Sequence, residues 1–362
     1  MFYIFMSMES CSVVNLVEGV ETASSDQQEI SPTIHFAVPR VWEKQYSLVA
    51  IKLKEATVIG RMAYQWAIGI GGRAADFRKI DKPVPVGLKL VHKIADFFVL
   101  KNIRVLLGID SCRWLSTAAA PIAPDLIDWF WALGKPMYEV YGQTECAGIA
   151  TANIPGANRI GSVGRAIEPM EVTLSDQGEI LIKGPGVILG YWNKPEKTAD
   201  TFVQNWLHTG DVGRIDEDGY IYIVDRMKDI IITAGGKNIT PSEIENQLKF
   251  SPFISDAVVV GDKRPFLTCL VMIDYENVEN FAQDNDVPFT NYTSLCHTQA
   301  VQDLIWSEIE GVNTKFARVE TIKKFRLIDQ LLDPEDEELT PTMKLKRKVV
   351  NEKYTDLINE MY

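Results

Sequence analysis

Three short stretches hold residues whose types and spacing can do chemistry. The first is Tyr141-Gly142-Gln143-Thr144-Glu145, which directly follows Met137-Tyr138-Glu139-Val140. A strand ending at Tyr141, a glycine that frees the backbone and three polar groups on an exposed turn would suit a phosphate ester. The Thr144 hydroxyl can donate to a phosphate oxygen. The Glu145 carboxylate is a hard oxygen ligand, able to hold Mg²⁺ directly or through water. Tyr141 can stack on a base. The second stretch is His208-Thr209-Gly210-Asp211, read as a tight turn, with Arg226 fifteen positions further on. A carboxylate in such a turn can accept hydrogen bonds from a vicinal diol such as a ribose. Arg226 can reach the same sugar from the other arm of a hairpin. The third, Thr340-Pro341-Thr342-Met343-Lys344-Leu345-Lys346-Arg347, is by itself only a basic patch. Small side chains in Ser116-Thr117-Ala118-Ala119-Ala120-Pro121 would let backbone approach a flat ring such as adenine, although a close-packed turn uses small residues equally well.

The elements that must position these groups are legible in outline. Asp218-Gly219 between apolar runs is a two-residue hairpin signal. Gly235-Gly236-Lys237 reads as a flexible turn. Thr240-Pro241-Ser242-Glu243 reads as a helix start, with Thr240 as N-cap, proline at the first helical position and Glu243 closing a capping box. Upstream, residues 1–31 pass from an apolar start into a polar, turn-like segment. Residues 32–40 read as a buried strand ended by proline, and Val41 opens a helix. Residues 45–80 are helical, either as a packed surface helix, the preferred reading, or as an amphipathic membrane-surface helix. Residues 84–100 are helical again, and 104–107 read as a short strand. Residues 179–183 form a strand, followed by Gly184-Pro185-Gly186 and the aromatic loop at Gly190-Tyr191-Trp192, which reads as scaffolding. Beyond Glu243 a small α/β unit is expected. Ile244 and Leu248 share a helix face there, strands fall at 257–260, 266–273 and 325–328, and helices near 276–284 and 299–311. Residues 333–338 read as a solvated acidic loop.

Composition narrows the function classes. A chain of 362 residues suggests two or three domains. Its net charge of −12 argues against nucleic acid as the main ligand, because a phosphate backbone needs clustered Lys and Arg. Cysteines at 11, 112, 146, 269 and 296 form no C-x-x-C pair and fit free thiols in a reducing compartment. Histidines at 35, 92, 208 and 297 make no zinc motif. No apolar run reaches the ~18 residues that read as a membrane span. The expectation is a cytoplasmic protein, with peripheral membrane contact left open.

Taken together and in order, Y-G-Q-T-E, H-T-G-D, D-R-M-K and P-T-M-K-L-K-R resemble the adenylate-forming enzymes: acyl-CoA synthetases, luciferases and peptide-synthetase adenylation domains. His35-Phe36-Ala37-Val38-Pro39-Arg40-Val41-Trp42-Glu43-Lys44 is similar to the segment F-F-x-V-P-R-x-W-E-K of long-chain acyl-CoA synthetases. The resemblance implies an α/β (α+β multidomain) fold. Residues 1–224 would be part of a large AMP-binding domain, 225–228 a hinge and 229–362 a small α/β C-terminal lid domain. It implies binding of ATP or AMP, Mg²⁺ and CoA, and activation of a long-chain fatty acid through an acyl-adenylate. By the same resemblance Ala119, Ala120, Pro121, Tyr141, Gly142 and Gln143 line the nucleotide, with Ala118 where glycine is more usual. Thr144 and Glu145 serve phosphate and Mg²⁺, and Asp211 and Arg226 hold the ribose. Lys228 is the hinge, Gly235, Gly236 and Lys237 lie beside the CoA path, and Lys344 is the catalytic lysine. The family's Ser/Thr/Gly-rich loop ending in P-K-G, which cradles the β- and γ-phosphates, precedes the H-F-A-V-P-R equivalent and is not found. The sequence therefore reads as a C-terminal portion of such an enzyme. Two alternatives stay open: another adenylating ligase, or a non-catalytic nucleotide-binding remnant.

Overall fold

A computed structural model describes residues 8–19, 22–332, 336–339 and 345–362. The expectation for Lys344 lies outside the described residues. The chain divides into two compact units. The first holds Met1–Pro39, Lys52–Thr209 and Gly213–Ile223, and the second Arg40–Ile51, Gly210–Val212 and Val224–Tyr362. The division is therefore not a single cut in the sequence.

In the first unit, strands β1 (Ile34–Ala37), β2 (Trp114–Thr117) and β3 (Met137–Tyr141) pair in parallel, and β4 (Thr151–Ala152) and β5 (Arg165–Ala166) add antiparallel strands beyond β3. Parallel neighbours need crossover connections, and helices supply them. Before β1 lies α1 (Ala23–Ile30), so the segment that reads as turn-like is helical. Between β1 and β2 in sequence run α2 (Pro39–Glu55), whose residues Arg40–Ile51 belong to the second unit, then α3 (Val58–Lys79), α4 (Val86–Ala95), a π-turn at Asp96–Leu100 and α5 (Lys101–Leu106). Residues 104–107 are thus not a strand. Arg104 is drawn inward by Asp96 at 2.5 Å, Asp110 at 2.8 Å and the Leu133 carbonyl at 3.0 Å. A helix can present one long side chain to three such partners while its neighbours stay in register. Helix α6 (Pro124–Ala132) joins β2 to β3 and buries Trp129, Phe130 and Trp131. Small residues on α3 (Ala67, Gly71, Ala74 and Ala75) are buried. A Cβ on Gly71 would lie 2.1 Å from the Ala132 carbonyl oxygen, so α3 and α6 touch backbone to backbone.

A second, antiparallel sheet holds β6 (Glu171–Leu174), β7 (Glu179–Lys183), β9 (Trp206–Ile215) and β10 (Ile221–Arg226), with the short β8 (Phe202–Val203) on β9 after α7 (Pro195–Thr201). The connection from β9 to β10 is five residues, not two. Asp216 organises it by accepting from the Asp218 and Tyr220 amides at 3.0 and 2.9 Å. Arg159 clamps the loop from outside through Asp216 and Asp218.

In the second unit, β11 (Ile231–Ile232) and β12 (Asn238–Ile239) precede α8 (Pro241–Leu248). A three-stranded sheet follows, of β13 (Ile254–Val260), β14 (Leu267–Ile273) and β15 (Ile322–Leu327) in the order β13-β14-β15. Helices α9 (Tyr275–Asp284), α10 (Tyr292–Cys296) and α11 (Gln299–Asn313) come between β14 and β15, and α12 (Arg347–Lys353) and α13 (Thr355–Asn359) end the chain. Every residue of β14 is buried. Its odd positions join one apolar cluster with α8 to α11, and Leu270 and Met272 join the other with α12 and α13. A sheet covered on both faces reads as an unbroken apolar run. Residues 333–335 lie outside the described residues, but Glu338 is only 1% exposed and pairs with Lys353, so that residue of the acidic segment is not solvated, whereas Glu337 is exposed.

The start of α8 falls where the sequence puts it, but its cap differs. The Thr240 side chain makes no capping bond. Asp225 at the end of β10 takes that role, accepting from the Ser242 amide at 3.1 Å and the Ser242 hydroxyl at 2.8 Å. A carboxylate bonded to amides at a helix N-terminus also meets the positive end of its dipole. Asp225→Ala is expected to lower stability by about 1–3 kcal/mol, whereas Thr240→Ala should change it by less than about 0.5 kcal/mol. Urea unfolding of the two variants side by side checks the assignment; equal losses would refute it.

Candidate active site

The Tyr141–Glu145 stretch and the small-residue run after Thr117 begin where parallel strands end. Thr117 and Glu139 are partners across β2 and β3, so the turns after Thr117 and after Tyr141 lie at the same carboxyl edge of the sheet. Ligands of open α/β sheets bind outside this edge.

Gly142 is required by contact rather than by torsion. A Cβ there would sit 2.5 Å from the Gly148 carbonyl oxygen and 2.8 Å from the Ile149 Cα. The loop between therefore folds back onto its own start. Buried Cys146 fastens it from within, its Sγ accepting from the Gln143 amide at 3.1 Å. The Gln143 side chain donates to the Thr209 carbonyl at 3.0 Å, two residues before Asp211 along β9. Thr144 is exposed at the turn, and Tyr141 is half-buried. Glu145 Oε1 accepts a 2.6 Å hydrogen bond from the Tyr191 hydroxyl, and the Glu145 carbonyl accepts from the Ile188 amide at 2.9 Å. Burial first, and then the neighbouring Glu145 carboxylate, raise the Tyr191 pKa, so the phenol remains a donor at neutral pH. Tyr191 was not foreseen as a site residue. Its loop reads as scaffolding, and only a tyrosine set in a tight G-Y-W-N turn hints at more. Among the described residues no three His, Cys, Asp or Glu side chains gather as a metal cage. Glu145 still fits Mg²⁺, which is commonly held by one or two carboxylates together with substrate phosphates.

After β2 the chain turns through Ala118, Ala119, Ala120 and Pro121. The left-handed residue is Ala119, at φ +73°, and not Ala118, the position where the resemblance leads one to expect glycine. Behind this turn the Thr117 hydroxyl is buried without a hydrogen-bond partner. Burial of its carboxyl group pushes Glu139 up to about 8, against a backbone hydrogen bond from Gly161.

In the second unit, Asp211 lies within β9 and is 6% exposed. The H-T-G-D segment is therefore extended rather than a tight turn. Gly210, at φ +73°, kinks the strand, and its carbonyl accepts from the Met227 amide at 2.9 Å. Arg226 closes β10, with its Nε 3.4 Å from Asp211 Oδ1 and its side chain 58% exposed. Lys228 follows on an exposed turn closed by the Asp229 amide to the Arg226 carbonyl at 2.9 Å. Gly235, Gly236 and Lys237 form the exposed turn between β11 and β12, with Gly236 at φ +70°. Of the basic stretch, Leu345 is held by Asp256 through its amide at 2.9 Å, and Arg347 by Glu245 at 2.5 Å. Arg347 is thus an anchor for the start of α12.

Residues 2–192 match the AMP-binding enzyme family, and 228–362 match the AMP-binding enzyme C-terminal domain. The chain is 34% identical over 352 residues to a putative fatty-acid–CoA ligase, fadD11, of Mycobacterium tuberculosis, covering 96% of this chain and 62% of that protein. It is 35% identical over 360 residues to the long-chain-fatty-acid–CoA ligase ACSBG2 of Xenopus laevis, covering 92% and 48%. The chain thus spans about half to three-fifths of the length of these relatives. Among solved structures, the adenylation domain of a carboxylate reductase from Mycobacterium chelonae superposes with TM-score 0.69 at 20% identity, covering 96% of this chain and 49% of that one. The corresponding domain from Segniliparus rugosus, in complex with AMP and a co-purified carboxylic acid, gives 0.67 at 18%, covering 96% and 50%. Both support the fold.

Two outcomes follow from the first unit. The folded state holds the Glu139 proton above the ordinary carboxyl value of 4.5, so it binds more protons than the unfolded chain between there and about 8. Stability then falls as pH rises through that window. Glu139→Gln should flatten this slope and raise the melting temperature at pH 8; an unchanged pH profile would refute the buried acid. Gly142→Ala should destabilise the unit by about 1–3 kcal/mol, because the clash is with backbone that cannot swing away. Thermal unfolding reads it, and a shift below a degree would disprove the contact.

Proposed function

The chain belongs to the AMP-binding enzyme family, and from that premise we propose that its protein activates a long-chain fatty acid with ATP and passes the acyl group to CoA. The carboxylate oxygen attacks the α-phosphorus, the bond to the β-phosphate breaks and pyrophosphate leaves. The CoA sulfur then attacks the acyl carbon, the bond to AMP breaks and the thiol proton passes to solvent. The relatives named as fatty-acid–CoA ligases, and the H-F-A-V-P-R-V-W-E-K segment, support the substrate class.

The observation that carries the reading is the Asp211–Arg226 pair. A carboxylate this buried stands beside an exposed guanidinium at 3.4 Å, longer than the 2.7–2.9 Å of a tight charge-assisted bond. In this reading Asp211 accepts from the ribose hydroxyls and Arg226 donates to the same sugar. Tyr141 stacks on adenine, and Ala119, Ala120 and Pro121, with Gly142 and Gln143, line the nucleotide. Thr144 donates to phosphate. Glu145, oriented by Tyr191, is the carboxylate for Mg²⁺, which when bound neutralises phosphate charge. Lys344 serves the α-phosphate and the substrate carboxylate. Lys228 is the hinge of the small domain, and Gly235, Gly236 and Lys237 border the CoA path.

Asp211→Ala should weaken AMP binding about tenfold to several hundredfold, for charge-assisted bonds each worth roughly 1.5–3 kcal/mol. Calorimetric titration with AMP measures it, and equal affinity in the variant would sink the ribose assignment. Consumption of CoA thiol with synthetic palmitoyl-AMP separates the catalytic reading from a nucleotide-binding module: Asp211-dependent AMP binding without thioester formation would favour the module.

A further inference from the structure

One loop grips Glu145 twice. The Ile188 amide donates to its carbonyl at 2.9 Å, and the Tyr191 hydroxyl donates to carboxylate oxygen Oε1 at 2.6 Å. A bond of that length falls in the range of about 2.5–2.7 Å found for hydroxyls on ionised carboxylates, the strong class of hydrogen bond. The tyrosine is itself held from behind. Its amide donates to the Thr198 hydroxyl at 2.9 Å, and that hydroxyl donates on to the Lys194 carbonyl at 2.8 Å, at the start of α7. Lys197 lies over the ring face, with Nζ 4.2 Å from the centroid. Gly190 leaves the turn no slack, since a Cβ there would meet Thr198 Cγ2 at 2.5 Å. Ring and backbone are pinned together, so the fold itself aims the hydroxyl at Oε1.

A carboxylate has two oxygens, and how many of them it can give sorts the cations it suits. Ca²⁺ takes about 6–8 oxygens in a flexible shell and accepts both from one carboxylate. Mg²⁺ is smaller, demands near-ideal octahedral geometry and keeps water and phosphate beside one or two carboxylates. The two oxygens of one carboxylate stand too close together to fill adjacent octahedral corners without distortion. With Oε1 tied to the phenol, Oε2 is the oxygen that Glu145 can turn to a cation, in a direction the fold has set. Chelation through both would have to draw on Oε1 while that oxygen serves the Tyr191 proton. A tie that only stiffened the loop would favour neither cation.

We propose that Tyr191 is a specificity-determining positioning residue, which holds Glu145 to coordination through one oxygen and so favours Mg²⁺ over Ca²⁺. The inference rests on the reading of Glu145 as the Mg²⁺ carboxylate, and the test separates the two. The 362-residue chain is titrated with Mn²⁺, an octahedral oxygen-seeking ion whose free form is counted by electron paramagnetic resonance, and the bound ion is then displaced by Mg²⁺ or by Ca²⁺. The part of the bound Mn²⁺ that Glu145→Gln removes reports this site. Tyr191→Phe keeps the ring and loses one hydroxyl, so an unchanged melting curve certifies the fold. In that variant the ratio of Ca²⁺ to Mg²⁺ affinity should rise at least about tenfold, because loss of such a supporting hydrogen bond typically costs about 10–100-fold in metal affinity while Ca²⁺ gains Oε1. Infrared difference spectra give a second readout: with Ca²⁺ bound, the separation of the antisymmetric and symmetric carboxylate stretches should narrow in Tyr191→Phe as both oxygens coordinate. Affinities for the two ions that fall alike, leaving the ratio within about twofold, would overturn the inference and make Tyr191 a loop tie. If Glu145→Gln removes no bound Mn²⁺, the Mg²⁺ reading of Glu145 fails first, and the inference falls with it.

Discussion

No side-chain atom fits on residue 142. The backbone of Gly148 and Ile149 occupies the space a Cβ would take, at 2.5–2.8 Å. That contact makes the segment after β3 a closed loop rather than an open connection. Because the loop closes, Cys146 points inward, Gln143 reaches the Thr209 carbonyl, and Glu145 lies where Tyr191 can hold it. A few tenths of an ångström of swelling at one glycine would be transmitted to each of these groups, since close-packed interiors do not absorb such changes locally.

Polar groups are held by partners distant in sequence, because burial leaves them nowhere else to go. Asp225 caps a helix from the strand end that precedes it by sixteen residues. Arg104 on α5 collects two carboxylates and a carbonyl, and Glu245 holds Arg347 and the Val259 amide. Each arrangement satisfies a buried or half-buried charge that would otherwise be costly. Their consequence for function is positional. Asp225 precedes Arg226, and Arg347 and Leu345 fix the segment that follows Lys344.

The outer surface of the first unit follows another logic. Helix α3 buries its small residues against α6 and so fits the packed-helix reading of residues 45–80. The next arm, over residues 86–106, is the one that leaves apolar and cationic groups together in solvent. Amphipathic character at the level of sequence did not separate these two helices, since both carry lysines or arginines among apolar residues. What distinguishes them is that α3 turns small residues onto α6, whereas the arm leaves Val86, Leu90, Ile94, Phe97 and Phe98 exposed.

The sequence by itself determined the local elements with strong chemistry: β3 into Tyr141-Gly142, the β9–β10 hairpin, the start of α8, and the apolar strands β13 and β14. It also determined the family, through short motifs whose residues are contiguous. It misread 104–107 as a strand, 23–30 as turn-like and Asp211 as a turn residue. Three apolar residues after Arg104 carry no period of their own, and Gly210 signals a kink without saying whether a strand continues through it. Only the tertiary structure decided that Ala119 takes the left-handed conformation, that Tyr191 holds Glu145, and that Asp225 replaces Thr240 as the cap. Those facts depend on which backbone lies across from each residue. That pairing is set by the packing of whole strands and helices, which no local propensity encodes.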